Sequence, residues 1–280
     1  MTSSLRRTGH RSDMYTPRQS LYIRGSAGDP LPKVWDALDQ KGTQLRRGQL
    51  VLVCAGPGTG KSAFVLAYAL KSKIPTLYFS ADSDAFTQLS RSVSILSGMS
   101  LEKSTRAVRN ADLGDVADEL DEIPIRFNYK ASPSLDVIEE SLEAYNALYE
   151  DYPALIVVDN ITNVRTDAGD GDDPFSGLES LMDYLHEMAR ETGSCVIGLH
   201  HVTGPFNDGD KPIPLSGIKG QIGRVPEMIL TLHRVSEGFG PDSLNVSTVK
   251  NRGGKSDPSG QDFAGLEFVG ETMQITDFGH

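Results

Sequence analysis

Apolar residues are distributed along this chain in two alternating patterns. Short, continuous apolar runs recur, and most are followed by a longer segment in which apolar residues stand three and four positions apart. A continuous run is typical of a strand buried on both faces of a parallel sheet, and the wider spacing is typical of an amphipathic helix. Strands are predicted at residues 50–54, 76–80, 125–128, 154–158, 194–199, 228–232 and 247–250. This alternation predicts an α/β fold with a mostly parallel central sheet flanked by helices.

Three sets of apolar residues at helical spacing predict helices beyond the one that follows the first strand. These sets are Phe86, Leu89, Val93 and Leu96; Leu135, Ile138, Leu142, Tyr145 and Leu148; and Leu178, Leu181, Leu185 and Met188. Gly98 and Gly193 end the first and third of these helices, and Ser132 or Ser134 caps the second. Residues 263–278 alternate between apolar and polar positions, which predicts a closing C-terminal β-hairpin.

The first thirty residues differ from the rest of the chain. Residues 1–30 are rich in Ser, Gly and Arg and have little helical or strand periodicity, which predicts a flexible, basic N-terminal arm. Two interpretations of this arm stay open, a disordered tail and a segment that packs on a neighbouring subunit. Residues 31–280 are then expected to form one large domain, because a second domain is not required by the length.

Composition restricts the location and partners of the chain. The formal net charge of -11 argues against a surface coated with basic residues, so any contact with nucleic acid must be local. Cys54 and Cys195 lie in apolar runs and are expected to be buried thiols of a reducing compartment. No apolar run approaches the ~20 residues that span a bilayer, and the N-terminus lacks the apolar core of a signal peptide. We therefore expect a cytoplasmic protein without a membrane partner.

A glycine-rich segment joins the first predicted strand to the first predicted helix. It consists of Ala55, Gly56, Pro57, Gly58, Thr59, Gly60, Lys61 and Ser62. These residues fit the Walker A pattern in the form that allows Ala at its first position, so successive backbone N–H groups can surround a polyphosphate. Lys61 is expected to reach the β- and γ-phosphates, and the Ser62 hydroxyl to hold Mg²⁺. The segment predicts that the chain binds a nucleotide.

A second candidate group lies at the end of another buried strand. Asp159 follows the apolar run 154–158, which is the arrangement of a Walker B strand. Its carboxylate can accept hydrogen bonds from the water shell of the Mg²⁺ that Ser62 holds. The alternative is that Asp159 only forms a turn or caps a helix.

Taken together, these motifs resemble the RecA-like core of the DnaB-type ring helicases, in the branch of phage and plasmid replicative helicases. The resemblance covers residues from about 31 to 278 and implies a RecA-like P-loop ATPase core that uses ATP and Mg²⁺. In this family the second strand ends Phe-Ser-Leu-Glu-Met, and the Glu is thought to align the hydrolytic water. Here the match is Phe79-Ser80-Ala81-Asp82-Ser83, so Asp82 is the candidate base, one methylene shorter. Asp84 is a rival, and either aspartate can instead cap the next helix.

The resemblance also assigns three residues further along the chain. His201 matches the family position that senses the γ-phosphate, and His200 is the weaker candidate of the pair. Lys250 and Arg252 match the Lys-x-Arg pattern that ring helicases insert into the ATP site of the neighbouring subunit. The alternative for these two cations is an exposed basic turn. If the match holds, the active form is a homo-oligomer, a hexamer, and a monomer hydrolyses ATP poorly.

Two loops correspond to the loops that line the DNA channel of the family. They follow Asp159 and His201, and their candidates for phosphate contacts are Arg165, Lys211, Lys219 and Arg224. Four carboxylates in the first loop oppose DNA binding: Asp167, Asp170, Asp172 and Asp173. These form either a solvated acidic loop or a second Mg²⁺ site of nuclease type, although no His or Glu in that loop completes such a site.

Three functions fit these features. The first is an ATP-dependent helicase or translocase that encircles single-stranded or forked DNA and separates strands in replication. Because no N-terminal primase or helical collar is seen, a loader and a primase would be separate proteins. The second is a RecA-like recombination or structure-processing ATPase with metal-dependent nuclease activity. The third is a KaiC-like regulatory ATPase that acts without DNA.

Overall fold

One nine-stranded sheet runs through the part of the chain that the computed structural model describes, which is residues 14–166, 177–236, 238 and 240–279. The strands are β1 (Leu50–Ala55), β2 (Thr76–Ser80), β3 (Ile125–Asn128), β4 (Leu155–Asp159), β5 (Cys195–His200), β6 (Met228–Val235), β7 (Asp242–Asn251), β8 (Phe263–Val269) and β9 (Gln274–Thr276). Their spatial order is β3-β2-β4-β5-β1-β6-β7-β8-β9. Strands β1 to β6 are parallel and β7 to β9 continue antiparallel, which confirms the predicted fold class and its C-terminal hairpin.

The helices of the described residues are α1 (Pro17–Ile23), α2 (Asp36–Gln40), α3 (Lys61–Ser72), α4 (Ala85–Ser97), α5 (Leu101–Arg109), α6 (Val116–Glu122), α7 (Leu135–Tyr149) and α8 (Leu178–Thr192). Helices α3 to α8 connect parallel strands, and α1 and α2 precede β1. Ser134 is the N-cap of α7, because its hydroxyl accepts a hydrogen bond from the Val137 N–H. Gly98 and Gly193 end α4 and α8 in the left-handed conformation, as predicted. Among the described helices, none is long and apolar enough to cross a lipid bilayer.

The sheet divides the core into two apolar layers. Along β1, Val51 and Val53 belong to one layer, and Leu50 and Leu52 belong to the other. Burial on both faces explains why the strand sequences are continuous apolar runs. Cys54 and Cys195 are free, buried thiols, in agreement with the prediction.

Two residues predicted to lie on buried apolar helix faces are exposed in the structure. Phe86 on α4 is 41% exposed, and Leu148 on α7 is 75% exposed. The side of α4 that is buried carries small polar residues, including Ser92 and Ser94. The Ser92 hydroxyl donates to the Gln88 carbonyl, and the Ser94 hydroxyl lies within hydrogen-bond distance of the Met99 and Thr272 carbonyls. Because backbone oxygens satisfy these hydroxyls, a serine-rich face can be buried without an apolar pattern in the sequence.

Part of the predicted N-terminal arm is helical, in contrast to the expectation from its sequence. Thr16 forms a capping box with Gln19 at the start of α1, and Pro17 occupies the first turn. No residue of α1 is buried, and Leu21 and Tyr22 are exposed. Residues 1–13 of the arm lie outside the described part of the chain.

Candidate functional site

The Walker A segment forms a turn between β1 and α3, at the carboxyl edge of the sheet. Gly58 and Gly60 have φ values of +71° and +114°, which only glycine adopts without strain. Gly60 precedes α3 and provides no side-chain cap, so the first N–H groups of this helix have no side-chain partner there, at a point where Gly60, Lys61 and Ser62 line a cleft. Lys61 starts the helix and is only 8% exposed. The loop therefore presents backbone donors and a cation, which is the chemistry that binds a polyphosphate.

The Asp159 side chain, at the end of β4, is hydrogen-bonded to one residue of α3 and one residue of β2. The Ser62 hydroxyl donates to its Oδ1 at 3.2 Å, and the Tyr78 hydroxyl donates to its Oδ2 at 3.1 Å. Burial raises the pKa of Asp159, and the Ser62 hydrogen bond and the Lys61 charge oppose that rise. Carboxylate and hydroxyl oxygens beside a phosphate-binding loop form a donor set that suits Mg²⁺. Ser62 and Asp159 thus lie together, as their assignment as metal-binding residues requires.

The two candidate aspartates after β2 have different surroundings. The Asp82 N–H donates to the Asp159 carbonyl at 3.2 Å, and Asp82 lines the same cleft as Lys61 and Ser62. Asp84 is the N-cap of α4, and its Oδ1 accepts a 2.7 Å hydrogen bond from the Thr87 N–H. Asp82 is therefore the aspartate that faces the cleft, while Asp84 has a structural partner.

The two histidines after β5 are also distinguished by their contacts. His201 is half-buried and lines the cleft, and both burial and the Lys61 charge lower its pKa. His200 is completely buried, and burial lowers its pKa to about 4. The neutral His200 ring donates from Nε2 to the Lys219 carbonyl at 2.8 Å. His200 is thus engaged with the backbone, and His201 is the histidine that faces the cleft.

Lys250 and Arg252 lie at the opposite edge of the sheet from the Walker A loop of their own chain. Lys250 is paired with Ile229, which is paired with Leu52 near the start of β1, whereas the loop follows the end of β1. The Arg252 guanidinium donates to the Arg224 carbonyl at 2.7 Å. Neither cation can therefore act on a nucleotide in the cleft of its own chain.

The four basic candidates for DNA contacts do not form one cluster. Arg165 follows β4, and its Nε donates to the Ser132 carbonyl at 3.1 Å. Lys211 lies over the Phe206 ring at 5.4 Å, and the Lys219 N–H donates to the His201 carbonyl at the carboxyl edge of the sheet.

Arg224 lies apart from the other three. Its carbonyl accepts hydrogen bonds from Lys250 and Arg252, which puts it at the amino edge of the sheet. The acidic segment with Asp167, Asp170, Asp172 and Asp173 lies outside the described residues. Within the described part of the chain, no group of three or more His, Cys, Asp or Glu side chains could hold a metal.

The cleft contains residues that the sequence patterns did not single out. It has a volume of about 390 Å³, and its lining includes Arg91, Arg234, Phe268, Gly270 and Met273. Arg91 donates to the Ser83 hydroxyl at 2.9 Å, and the Arg234 guanidinium lies over the Phe268 ring at 5.6 Å. Arg234 lies near the end of β6, and because β6 pairs with β1 it reaches the edge that carries the Walker A loop, a pairing that no pattern in the sequence indicates.

The loop after His201 packs directly on the Walker A loop. A side chain at Gly56 would overlap the Asn207 carbonyl, and one at Gly209 would overlap the Thr59 hydroxyl. Gly209 also has a φ of +66°, and its carbonyl accepts from the Arg234 N–H at 2.7 Å. The predicted DNA loop and the nucleotide loop are therefore in van der Waals contact.

Comparison with solved structures supports the same fold. One match is a DnaB-like replicative helicase described with its interactions with primase, with a TM-score of 0.77 and 20% identity over 92% of this chain. This chain spans 66% of the length of that helicase. A second match is an ATPase domain, with a TM-score of 0.77 and 19% identity over 93% of this chain and 95% of that domain.

Two sequence relatives come from mycobacteriophages. The Gene 65 protein of Mycobacterium phage L5 is 88% identical over 95% of this chain and all of its own length. The Gene 65 protein of Mycobacterium phage D29 is 84% identical over 82% of this chain and all of its own length. Residues 31–274 match the family described as DnaB-like helicase C terminal domain. The chain therefore belongs to the DnaB-like helicase C-terminal domain family.

Proposed function

We propose that this protein is an ATP-driven motor that encircles single-stranded DNA as a ring and separates the strands of a fork during replication. One observation carries this proposal. Lys61, Asp82, Asp159 and His201 meet in one cleft, while Lys250 and Arg252 lie at the opposite edge of the sheet. A chain with the two halves of an ATPase site on opposite sides can complete the site only by associating with another copy.

Each residue of the cleft has a separate task in hydrolysis. The N–H groups after Gly58 and Gly60 and the Lys61 ammonium bind the phosphates, and Ser62 and Asp159 hold the Mg²⁺ ion. When bound, Mg²⁺ neutralises charge on the β- and γ-phosphates. Asp82 orients the attacking water as the base. His201 donates a hydrogen bond to the γ-phosphate and loses that partner after hydrolysis.

The second half of the site comes from a neighbouring subunit. Lys250 and Arg252 stabilise the charge that develops on the transferred phosphoryl group of that neighbour, as arginine fingers do. Repetition of one such head-to-tail contact gives a closed ring when its rotation closes, and we propose a ring of six subunits. Native mass spectrometry with ATP and Mg²⁺ measures the ring size directly.

DNA is expected to bind at the loops that follow β4 and β5. Arg165, Lys211 and Lys219 contact phosphates there without reading base sequence, and Arg224 is the fourth candidate. The contact of Gly209 with Thr59 supports coupling between DNA binding and nucleotide binding, because a shift of the loop after His201 would displace the Walker A loop. The motor works in the cytoplasm of the phage host, and a separate loader or primase is a further proposed partner.

DNA-stimulated ATP hydrolysis tests this function. Turnover by the wild-type protein should rise when single-stranded DNA is added and should collapse in Lys61→Ala with and without DNA. The matched control is Lys71→Ala, since Lys71 lies in the last turn of the same helix and contacts the Ile275 carbonyl. Turnover that is indifferent to DNA would contradict the motor and favour a KaiC-like regulatory ATPase. Metal-dependent DNA cleavage that survives Lys61→Ala would favour the nuclease alternative.

A further inference from the structure

The two carboxylate oxygens of Asp159 have different partners, and one of these partners comes from the middle of a strand. Oδ1 accepts from Ser62 at the mouth of the cleft, whereas Oδ2 accepts from the Tyr78 hydroxyl inside the sheet layer. Tyr78 is completely buried and Asp159 is 1% exposed. This hydrogen bond therefore forms where water does not compete for either group.

The strand register explains how Tyr78 reaches the carboxylate. Tyr78 is paired with Val157 on β4, and Ser80 is paired with Asp159. Tyr78 and Asp159 are thus diagonal neighbours on one face of the sheet, a separation that a tyrosine ring can span. The ring packs against Phe127 of β3, with 5.3 Å between the ring centres. Packing fixes the ring, and the fixed ring points its hydroxyl at Oδ2.

A hydroxyl at this position needs a specific explanation. β2 is buried along its whole length, so an apolar side chain would satisfy packing at position 78 without the cost of burying a polar group. The partner that offsets that cost is the carboxylate assigned to the metal. Gln88 of α4, which is 1% exposed, lies near Tyr78, but neither atom of its side-chain amide forms a hydrogen bond.

We propose that Tyr78 is a positioning residue that keeps Oδ2 of Asp159 away from the metal, so that only Oδ1 faces Ser62 and Mg²⁺. Oδ1 can then accept hydrogen bonds from Ser62 and from the water shell of the Mg²⁺ ion that Ser62 would hold. Tyr78 thereby strengthens Mg²⁺ binding without contacting the metal. This inference rests on the Mg²⁺–nucleotide site proposed above.

Metal-dependent binding of a fluorescent ATP analogue to the full chain tests this role without measuring turnover. In Tyr78→Phe the ring and its packing are retained, and only the hydroxyl is lost. The Mg²⁺ concentration at half-saturation should rise about tenfold, which corresponds to the loss of one hydrogen bond to a charged group. Affinity for the nucleotide without metal should not change.

The matched control is Tyr68→Phe, which removes a hydroxyl that donates to the Pro32 carbonyl at 2.9 Å. This control should show the same Mg²⁺ dependence as the wild-type protein. Unchanged Mg²⁺ dependence in Tyr78→Phe, or an equal loss of nucleotide affinity with and without Mg²⁺, would overturn the proposal.

A second variant tests whether Tyr78 acts through Asp159. In an Asp159→Asn background, adding Tyr78→Phe should leave the metal dependence unchanged, because residues that act as a unit are not additive. A further tenfold loss in that background would overturn the proposed route. This test measures nucleotide binding and not turnover. Absence of DNA-stimulated turnover would therefore contradict the proposed motor without deciding the role of Tyr78.

Discussion

The Lys250 ammonium donates a 2.8 Å hydrogen bond to the main-chain oxygen of Arg224. Arg224 ends the 3-10 helix Lys219–Arg224, whose first residue accepts a hydrogen bond from His200, next to the candidate γ-phosphate sensor. One short helix therefore connects the cleft of a subunit with the cations that we propose act on its neighbour. No carboxylate of the described chain forms an ion pair with Lys250. The Lys250 ammonium can therefore move to a phosphate of the neighbouring subunit without breaking a salt bridge.

Mixing of two inactive variants tests whether the ATPase site is shared. Lys61→Ala and Arg252→Ala should each lose most of their turnover, and Arg252→Ala should still bind ATP. In mixed rings, a site with Lys61 from one subunit and Arg252 from the other is intact, so part of the turnover should return. ATPase titrations of one variant with the other provide the measurement. Turnover in Arg252→Ala alone that matches the wild type would refute the shared site.

The lowered pKa of Lys250 predicts a loss of ATPase activity at alkaline pH. Burial, with help from Arg252, lowers the pKa of Lys250 to about 8. The charge is present below that pH and is lost as the pH rises through it, so turnover should fall between pH 7 and 9. Lys250→Arg should keep its rate over this range, because the guanidinium stays charged. A pH profile that declines equally in both proteins would exclude Lys250 as the titrating group.

Stability should move in the other direction over an overlapping, more alkaline pH range. Between about pH 8 and 10.5 the unfolded chain carries more protons on Lys250 than the folded chain does, because the folded pKa is the lower one. The contribution of Lys250 to the free energy of unfolding therefore increases with pH. Urea denaturation at both ends of the range separates the loss of turnover from unfolding.

Substitution of the two aspartates after β2 should have different effects. Asp82→Asn removes the proposed base and should lower turnover by roughly 10²- to 10⁴-fold while ATP binding is retained. Asp84→Ala removes the N-cap of α4 and should lower the melting temperature with little effect on turnover. Steady-state ATPase assays and thermal melts of both variants give the comparison. The reverse pattern would make Asp84 the base.

The contact between the two loops predicts an effect of a single methyl group. Gly209→Ala puts a side chain against the Thr59 hydroxyl at a positive φ, so ATP affinity should fall about tenfold as the loops separate. Gly204→Ala is the control, because Gly204 is in the same loop with open space around it. Fluorescent-nucleotide titrations measure both, and equal affinities would show that the contact does not influence binding.

The sequence predicted the parts of this molecule that depend on neighbours along the chain. The Walker A turn, the strand ends and the caps of α4, α7 and α8 follow from residues within a few positions of one another. The site residues that it missed depend on which strands are adjacent. Arg234 reaches the cleft because β6 lies beside β1, and the order of strands cannot be read from their spacing.

The separation of Lys219 from Arg224 shows the same limit. These residues are five positions apart, yet one contacts the backbone at the carboxyl edge of the sheet and the other lies at the amino edge. The connection between β5 and β6 runs from the carboxyl edge to the amino edge of the sheet. The sequence does not show at which residues it passes from one edge to the other. Similarly, the buried serine face of α4 follows from hydrogen bonds to carbonyls, which an apolar pattern does not record.

Unwinding of a forked DNA substrate tests the central claim most directly. With ATP and Mg²⁺, the wild-type protein should release the labelled strand, and both Lys61→Ala and Arg252→Ala should fail to do so. Strand release that needs no ATP, or its absence under conditions where single-stranded DNA stimulates ATP hydrolysis, would contradict a ring motor that couples hydrolysis to strand separation.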